Sequence, residues 1–446
     1  MFPTSLSAAM AALALLATPP SHDGAPFLAL EDAITTAERQ NHQLASTGRQ
    51  VGQADERAAA ARTRRLPALR LDAFGGRVVN SPEVEIPAGS LGDVPQVGPF
   101  PAQDTKVSVP DDYGAVAMFS ATQPLTQQYR IGLQVEAARL DRKVATEEVR
   151  REKHRVAAEV RTTYYDISAT EAGIEALRDL VRSVEEVDAV TKRFLDEGVV
   201  LRSDALEVKA RLASERQRLA EAESGLATQR ERLNQLLGRE LATPFRVAKP
   251  SDISPRAAAL TLEVARERAR GARPEIRTLS LRAEQAETAR RIVNSGWIPD
   301  LSLTAAYARG ENLALPENVT TVGLYLSWEP FDWGRKRHEA RERSLQQEQA
   351  LEGRKEAQQQ IEVEVAQRWR ALKDAAALLE AMRLEEEASA ASLDTDRNRY
   401  QENATILRDL LRTEARLSAA RHGLTDALAG YWSAAAELER AIGNEN

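Results

Sequence analysis

Apolar positions along this chain follow two rhythms, and the chain switches between them twice. Leu30, Ile34, Ala37, Leu44, Val51 and Ala58 recur at spacings of three, four and seven. That spacing predicts an amphipathic helix from Leu28 to about Leu66, stopped by Pro67. The rhythm then drops to two. Leu69, Leu71 and Ala73 alternate with Arg70, Asp72 and Phe74, which predicts a strand over 68–79. A loop rich in Pro, Gly, Val and Asp fills Ser81 to Tyr113, and a second strand is expected over 114–123, ended by Pro124. From Tyr129 to Leu195 the helical rhythm returns, carried by Val156, Val160, Tyr164, Ile167, Ile174 and Val181. A helix of that length is a rod of roughly 100 Å.

Gly198 ends the rod, and the chain reverses over Val199, Val200, Leu201, Arg202 and Ser203. Asp204 or Ser203 then stands where a helix N-cap belongs. The returning helix carries Leu212, Leu219, Leu226 and Leu233, each seven residues after the last. A strict heptad implies a left-handed supercoil against a partner. Gly238 closes it, and a Pro-containing linker over 249–273 follows, with a short helix around Leu260–Ala269.

The second half replays the first. A helix from Glu275 to Ser295 stops at Pro299; strands are expected over 300–309 and 320–329; Pro330 ends the second. A helix from Arg335 to Glu402 turns at Asn403 into a last helix with Leu410, Leu417, Leu424, Tyr431 and Leu438 in heptad register. Shifted by 205 residues, Gly198–Gly238 falls on Asn403–Gly443 without a gap, and eleven of forty-one positions are identical, Asp204/Asp409 among them. The chain is a duplication, with repeats at 26–248 and 274–446. Each repeat reads helix, strand, loop, strand, long helix, turn, helix.

Composition supports the long helices: 28% of residues are charged and only 5% aromatic. There is no cysteine, so disulfides, thiolate metal sites and thiol nucleophiles are excluded. A net charge of −7 gives no electrostatic case for nucleic acid. Leu6–Ala17 is a short apolar run within 1–25 that reads as a secretory signal, although no Lys or Arg precedes Arg39. No later stretch has the length of an apolar transmembrane helix. His22, His42, His154, His338 and His422 are scattered, and no nucleotide, nucleophile-elbow or zinc-protease motif occurs. No enzyme, metal or cofactor is expected.

The strands have the length of transmembrane β-strands, about 9–11 tilted residues. Four cannot close a barrel, and lipid demands that every backbone group be paired. Three chains sharing one barrel would supply twelve strands. Leu69, Leu71, Leu301, Leu303, Val322, Leu324, Leu326 and Trp328 are then the lipid-facing candidates. Trp297 and Trp333 fit interfacial aromatics, and the basic run Gly334–His338 fits a helix start near headgroups. A soluble hairpin packed on helices has the same alternation.

WIPDLSLTAAYARG (297–310), LSWEPFDWGRKRHEAR (326–341) and RYQENATILRDLL (399–411), in this order within a duplication, resemble the TolC-type outer-membrane efflux proteins. The resemblance implies a mainly helical chain with membrane strands: a homotrimer whose twelve-stranded barrel continues into a periplasmic helical barrel. It implies a passive conduit in the outer membrane of a Gram-negative-type bacterium, serving tripartite efflux or type I secretion. Its partners would be a periplasmic adaptor, an inner-membrane RND or ABC-type transporter, and outer-membrane lipid. The alternative is a soluble periplasmic coiled-coil adaptor or scaffold without a pore.

By resemblance the pore entrance involves Asp409, Tyr400, Asp204 and Ser203, and the adaptor docks at the tips, Gly198, Val199, Val200 and Leu201 with Asn403, Ala404, Ile406 and Leu407. Three positions depart from the pattern. Asn403 stands for a glycine, Arg412 for a second constricting aspartate of some members, and Thr405 for a gating arginine.

Overall fold

The computed structural model describes residues 25–77, 83–95, 97–108, 113–249, 260–311, 318–401 and 407–443. The signal expected over 1–25 falls almost wholly outside them, and so does the second turn, 402–406. The chain forms α1 (Leu30–Gln40), α2 (His42–Thr63), β1 (Ala68–Arg77), β2 (Glu83–Ile86), β3 (Asp93–Val94), β4 (Gly98–Pro99), β5 (Thr105–Ser108) and β6 (Tyr113–Pro124). Then follow α3 (Gln128–Asp196), α4 (Arg202–Leu236), α5 (Leu262–Ala272), α6 (Pro274–Ser295), β7 (Asp300–Glu311), β8 (Asn318–Ser327), α7 (Arg335–Gln401) and α8 (Leu407–Ala441). No helix among the described residues is long and apolar enough to cross a membrane.

Two compact units share these elements, and both long helices contribute to each. One unit comprises Ser46–Arg151 and Pro274–Gln360. It holds a four-stranded antiparallel sheet in the order β1-β6-β7-β8. The other comprises residues up to Ala45, Glu152–Arg273 and Ile361 onward. Its core gathers Leu28, Ala33 and Ala37 with Val156, Val160, Tyr164 and Ile167 of α3, Leu233, Leu236 and Leu237 at the end of α4, Phe245 and Val247 of the segment after α4, and Trp432 and Ala436 of α8. The Tyr164 hydroxyl donates to the Leu28 carbonyl (2.9 Å) and accepts from the Ala248 N–H (2.8 Å), tying the segment after α4 to the one before α1 through α3. Burial pushes the Tyr165 hydroxyl up to about 12, with Glu439 adding to the rise.

Several elements differ from the sequence reading. The first helix is two, because Asn41 takes extended backbone (ψ 123°), accepts from the Leu44 N–H (2.9 Å) and donates to the Leu236 carbonyl (2.8 Å). Its side chain therefore caps α2 and anchors the break. The loop after β1 contains two small antiparallel pairs, β2–β5 and β3–β4; Pro and Gly between them hid the alternation. The strand expected to begin at 320 begins at Asn318, and it ends at Ser327, so Trp328 lies beyond it. On α8 the deepest aromatic is Trp432, 2% exposed, rather than Tyr431 of the heptad. The heptad leucines of α4 do pack inward: Leu212 and Leu233 are buried, Leu219 and Leu226 partly so.

Candidate functional site

The sheet is built so that its register sorts residues by polarity. Alternate residues of a strand share a face, and paired residues share it too. Leu69 pairs with Ala121, which pairs with Ala305, which pairs with Val322. The neighbouring rows on that face are Leu71, Phe119, Tyr307 and Thr320, then Leu303 with Leu324 and Leu301 with Leu326. The opposite face carries Arg70, Ser120, Ala306 and Thr321 in one row and Thr122, Thr304 and Gly323 in another. Phe74, Val116, Met118 and Val319 interrupt it towards the far end, and Tyr325, paired with Ser302, at the near end. Seven of the eight sequence-predicted lipid-facing residues thus lie on one face; Trp328 is past the strand end.

Phe119 belongs to that face and was illegible, because Val116, Met118 and Phe119 put apolar residues at both parities. The apolar face has no cover: Leu71 is 71% and Val322 73% exposed. The outer edges of β1 and β8 have no strand partner among the described residues.

At the end of the sheet nearest the helices, Arg130 meets Asp300 at 2.6 Å. Asp332 accepts from the Gly334 N–H (3.1 Å) and the Lys336 N–H (3.0 Å), and the latter bond does most to hold its carboxyl below the usual carboxylate range. Lys336 is buried, its ammonium 5.0 Å from the Trp297 ring centre and donating to the Glu329 carbonyl at 2.9 Å. The basic run is therefore partly internal. Between Asp332 and Gly334, Trp333 holds φ 54°, a left-handed conformation that costs a non-glycine residue roughly 1–2 kcal/mol.

The first hairpin tip is a defined turn. The Gly198 N–H donates to the Leu195 carbonyl (3.1 Å) and the Val199 N–H to the Phe194 carbonyl (2.8 Å), with Gly198 at φ 75°. That pair of bonds satisfies the last carbonyls of α3 and requires the left-handed glycine. Leu201, not Ser203 or Asp204, occupies the N-cap position of α4, and it makes no side-chain cap bond. Asp204 sits in the first helical turn, where it favours the helix dipole, and the Ser203 hydroxyl donates to it at 3.3 Å. Val199 and Leu201 are 68% and 69% exposed, an apolar tip in solvent.

Asp409 likewise lies in the first turn of α8, and Arg412 approaches it at 4.0 Å. The arginine and the aspartate thus face each other one turn apart on α8. Asn403, Ala404, Thr405 and Ile406 lie outside the described residues, as do the side chains of Tyr400 and Leu407.

Next to the tips is a polar layer that the sequence did not reveal. The Thr413 hydroxyl donates to Asp396 at 2.6 Å, joining α8 to α7. The Ser183 hydroxyl donates to Glu414 at 3.1 Å, joining α3 to α8, with Arg397 3.8 Å from the same carboxylate. Thr413 and Glu414 are neighbours on α8, and Asp396 and Arg397 on α7, but each bond joins two different helices and no local periodicity predicts the pairing. Among the described residues no cluster of His, Asp or Glu could hold a metal ion.

The comparisons agree with this geometry. The family described as Outer membrane efflux protein matches residues 33–239 and 265–444, both repeats. No curated protein sequence matches the chain. Among solved structures, a membrane protein from Pseudomonas aeruginosa is 18% identical with a TM-score of 0.75, covering 93% of this chain and 92% of that one. The Campylobacter jejuni CmeC outer membrane channel is 14% identical with a TM-score of 0.73, covering 93% and 85%. The outer membrane protein VceC from Vibrio cholerae is 16% identical with a TM-score of 0.71, covering 93% and 96%. At these identities the structures establish the shared fold, and the match to both repeats establishes the family. The chain belongs to the outer membrane efflux protein family, the TolC-like channels of the outer membrane.

Proposed function

We propose that this protein is a trimeric, passive conduit, opened at its hairpin tips by a periplasmic adaptor that couples it to an energised inner-membrane transporter. The observation that carries the reading is the sheet. Its apolar face is uncovered, its other face is largely polar, and both edges lack a strand partner among the described residues. An isolated sheet of this kind is unsatisfied in water by its face and in lipid by its edges. Three copies of four strands, β8 of one beside β1 of the next, close a twelve-stranded barrel and remove both defects.

The domain scheme of two repeats about a linker at 249–273 belongs to the same proposal. So do the tip roles. Gly198, Val199, Val200 and Leu201 on one hairpin, and Asn403, Ala404, Ile406 and Leu407 on the other, form the adaptor contact. Asp204, Ser203, Tyr400, Thr405, Asp409 and Arg412 set the charge and closure of the entrance. The exposed Val199 and Leu201 suit an apolar docking contact, and the Asp409–Arg412 pair gives this entrance less negative charge than an aspartate pair has.

The chain has no cysteine, so introduced pairs report unambiguously. Cysteines placed along β1 and β8 are expected to cross-link neighbouring chains into a trimer in outer-membrane fractions. Only intrachain products, or a soluble monomer after cell fractionation, would sink the proposal. Val199→Asp is expected to abolish efflux while leaving trimer and membrane insertion intact.

A further inference from the structure

The junction of sheet and helices contains a pair of clefts. β7 starts three residues after Trp297, and Pro330 follows β8 by three. At about 3.3 Å per residue, the surrounding groups lie within about 10 Å of the sheet's end. Two adjoining clefts, of about 540 and 500 Å³, share Asn294, Arg337 and Ala340 between α6 and the start of α7. The first is walled by Trp297, Phe331 and Trp333; the second by Arg290, Arg341 and His338.

The aromatic wall is built rather than incidental. Trp333 is 89% exposed although its backbone takes the left-handed region, and Phe331 packs edge-on against it at 4.8 Å between ring centres. Asp332 fixes that turn through the Gly334 and Lys336 amides. A strained residue presenting an exposed ring is an outlier that points to a use. Asp332 already occupies these amides, so an anion must be attracted by side chains. Arg290 is held by Glu287 at 2.8 Å and Arg341 loosely by Glu348 at 3.7 Å. Arg337 makes no ion pair among the described residues. Asp332 is the one carboxylate lining either cleft, and Lys336 faces it at 3.8 Å.

We infer that the paired clefts bind the phosphate-bearing headgroup of an anionic phospholipid of the periplasm-side leaflet. Arg337 and Arg341 take the phosphate, and Trp297, Phe331 and Trp333 take the glycerol and the first methylenes. Arginine suits phosphate by its planar donor fork, and indole rings suit the headgroup level. The inference rests on the sheet spanning the bilayer.

The test uses the full trimer in nanodiscs of phosphatidylcholine, with and without phosphatidylglycerol as a minority lipid. Retained lipid is counted by native mass spectrometry. Wild type is expected to retain phosphatidylglycerol in preference to phosphatidylcholine. Arg337→Gln is expected to reduce that preference about fivefold, the effect of one cation on anionic lipid, and Arg337→Lys to restore most of it. Trp333→Ser is expected to weaken retention of both lipids, and inorganic phosphate to leave retention unchanged. Equal retention by wild type and Arg337→Gln in trimers that insert normally overturns the site alone. Displacement by inorganic phosphate overturns the lipid assignment. A wild type that enters neither nanodisc removes the membrane-spanning sheet first, and the site with it.

Discussion

The sheet and the core around Tyr164 solve the same problem in opposite ways. In the core, Trp432, Tyr164 and Phe245 are each at most 2% exposed, and the buried hydroxyl of Tyr164 has both its partners within the chain. Folding alone completes that region. In the sheet, Leu69, Leu71, Val322 and Leu324 are each at least 66% exposed. Folding sets their register and leaves their burial to lipid and to neighbouring chains. Apolar content does not distinguish the two regions. What differs is whether the surface that covers them belongs to the same polypeptide.

The largest effect that sharpens this contrast is expected in the core. Trp432→Ala removes a fully buried indole packed 5.7 Å from Tyr165. It should cost about 3–5 kcal/mol, read as a lowered denaturation midpoint both in detergent and in lipid. Leu324→Arg should cost about 2–4 kcal/mol at mid-bilayer depth, and only in lipid. Thr304→Arg, on the other face, should insert nearly as wild type does. Equal insertion defects in these two variants would break the division into lipid and lumen faces.

Tyr164→Phe leaves the Ala248 N–H and the Leu28 carbonyl without their partner. It should cost about 1–3 kcal/mol, with slowed hydrogen exchange lost first at the Ala248 amide. The smallest effect is a pH slope. The Tyr165 hydroxyl is raised from 10.0 to about 12 by burial, so the folded state holds its proton more tightly than the unfolded state. Its contribution is complete below pH 10 and is lost as pH rises through about 12. Tyr165→Phe should flatten that part of the melting profile.

The sequence made periodic features legible and left convergent ones hidden. Heptad leucines at Leu212 and Leu233, glycine stops at Gly198 and Gly238, and the alternation of β1, β7 and β8 each follow from local spacing, and the structure contains them. The face of Phe119 needed its pairing to Leu71 and Tyr307. The break at Asn41 needed the Leu236 carbonyl, nearly two hundred residues away. The Ser183–Glu414 and Thr413–Asp396 links needed three helices to meet. The N-cap expected at Asp204 failed because the turn after Gly198 is shorter than supposed, so the helix starts at Arg202.

The open edges of β1 and β8 also bear on the life of the chain before assembly. A newly exported copy carries two templates for strand addition, and any extended polypeptide nearby can occupy them. The edges of β1 and β8 are therefore the part of the sheet most open to unwanted pairing until neighbouring strands cover them.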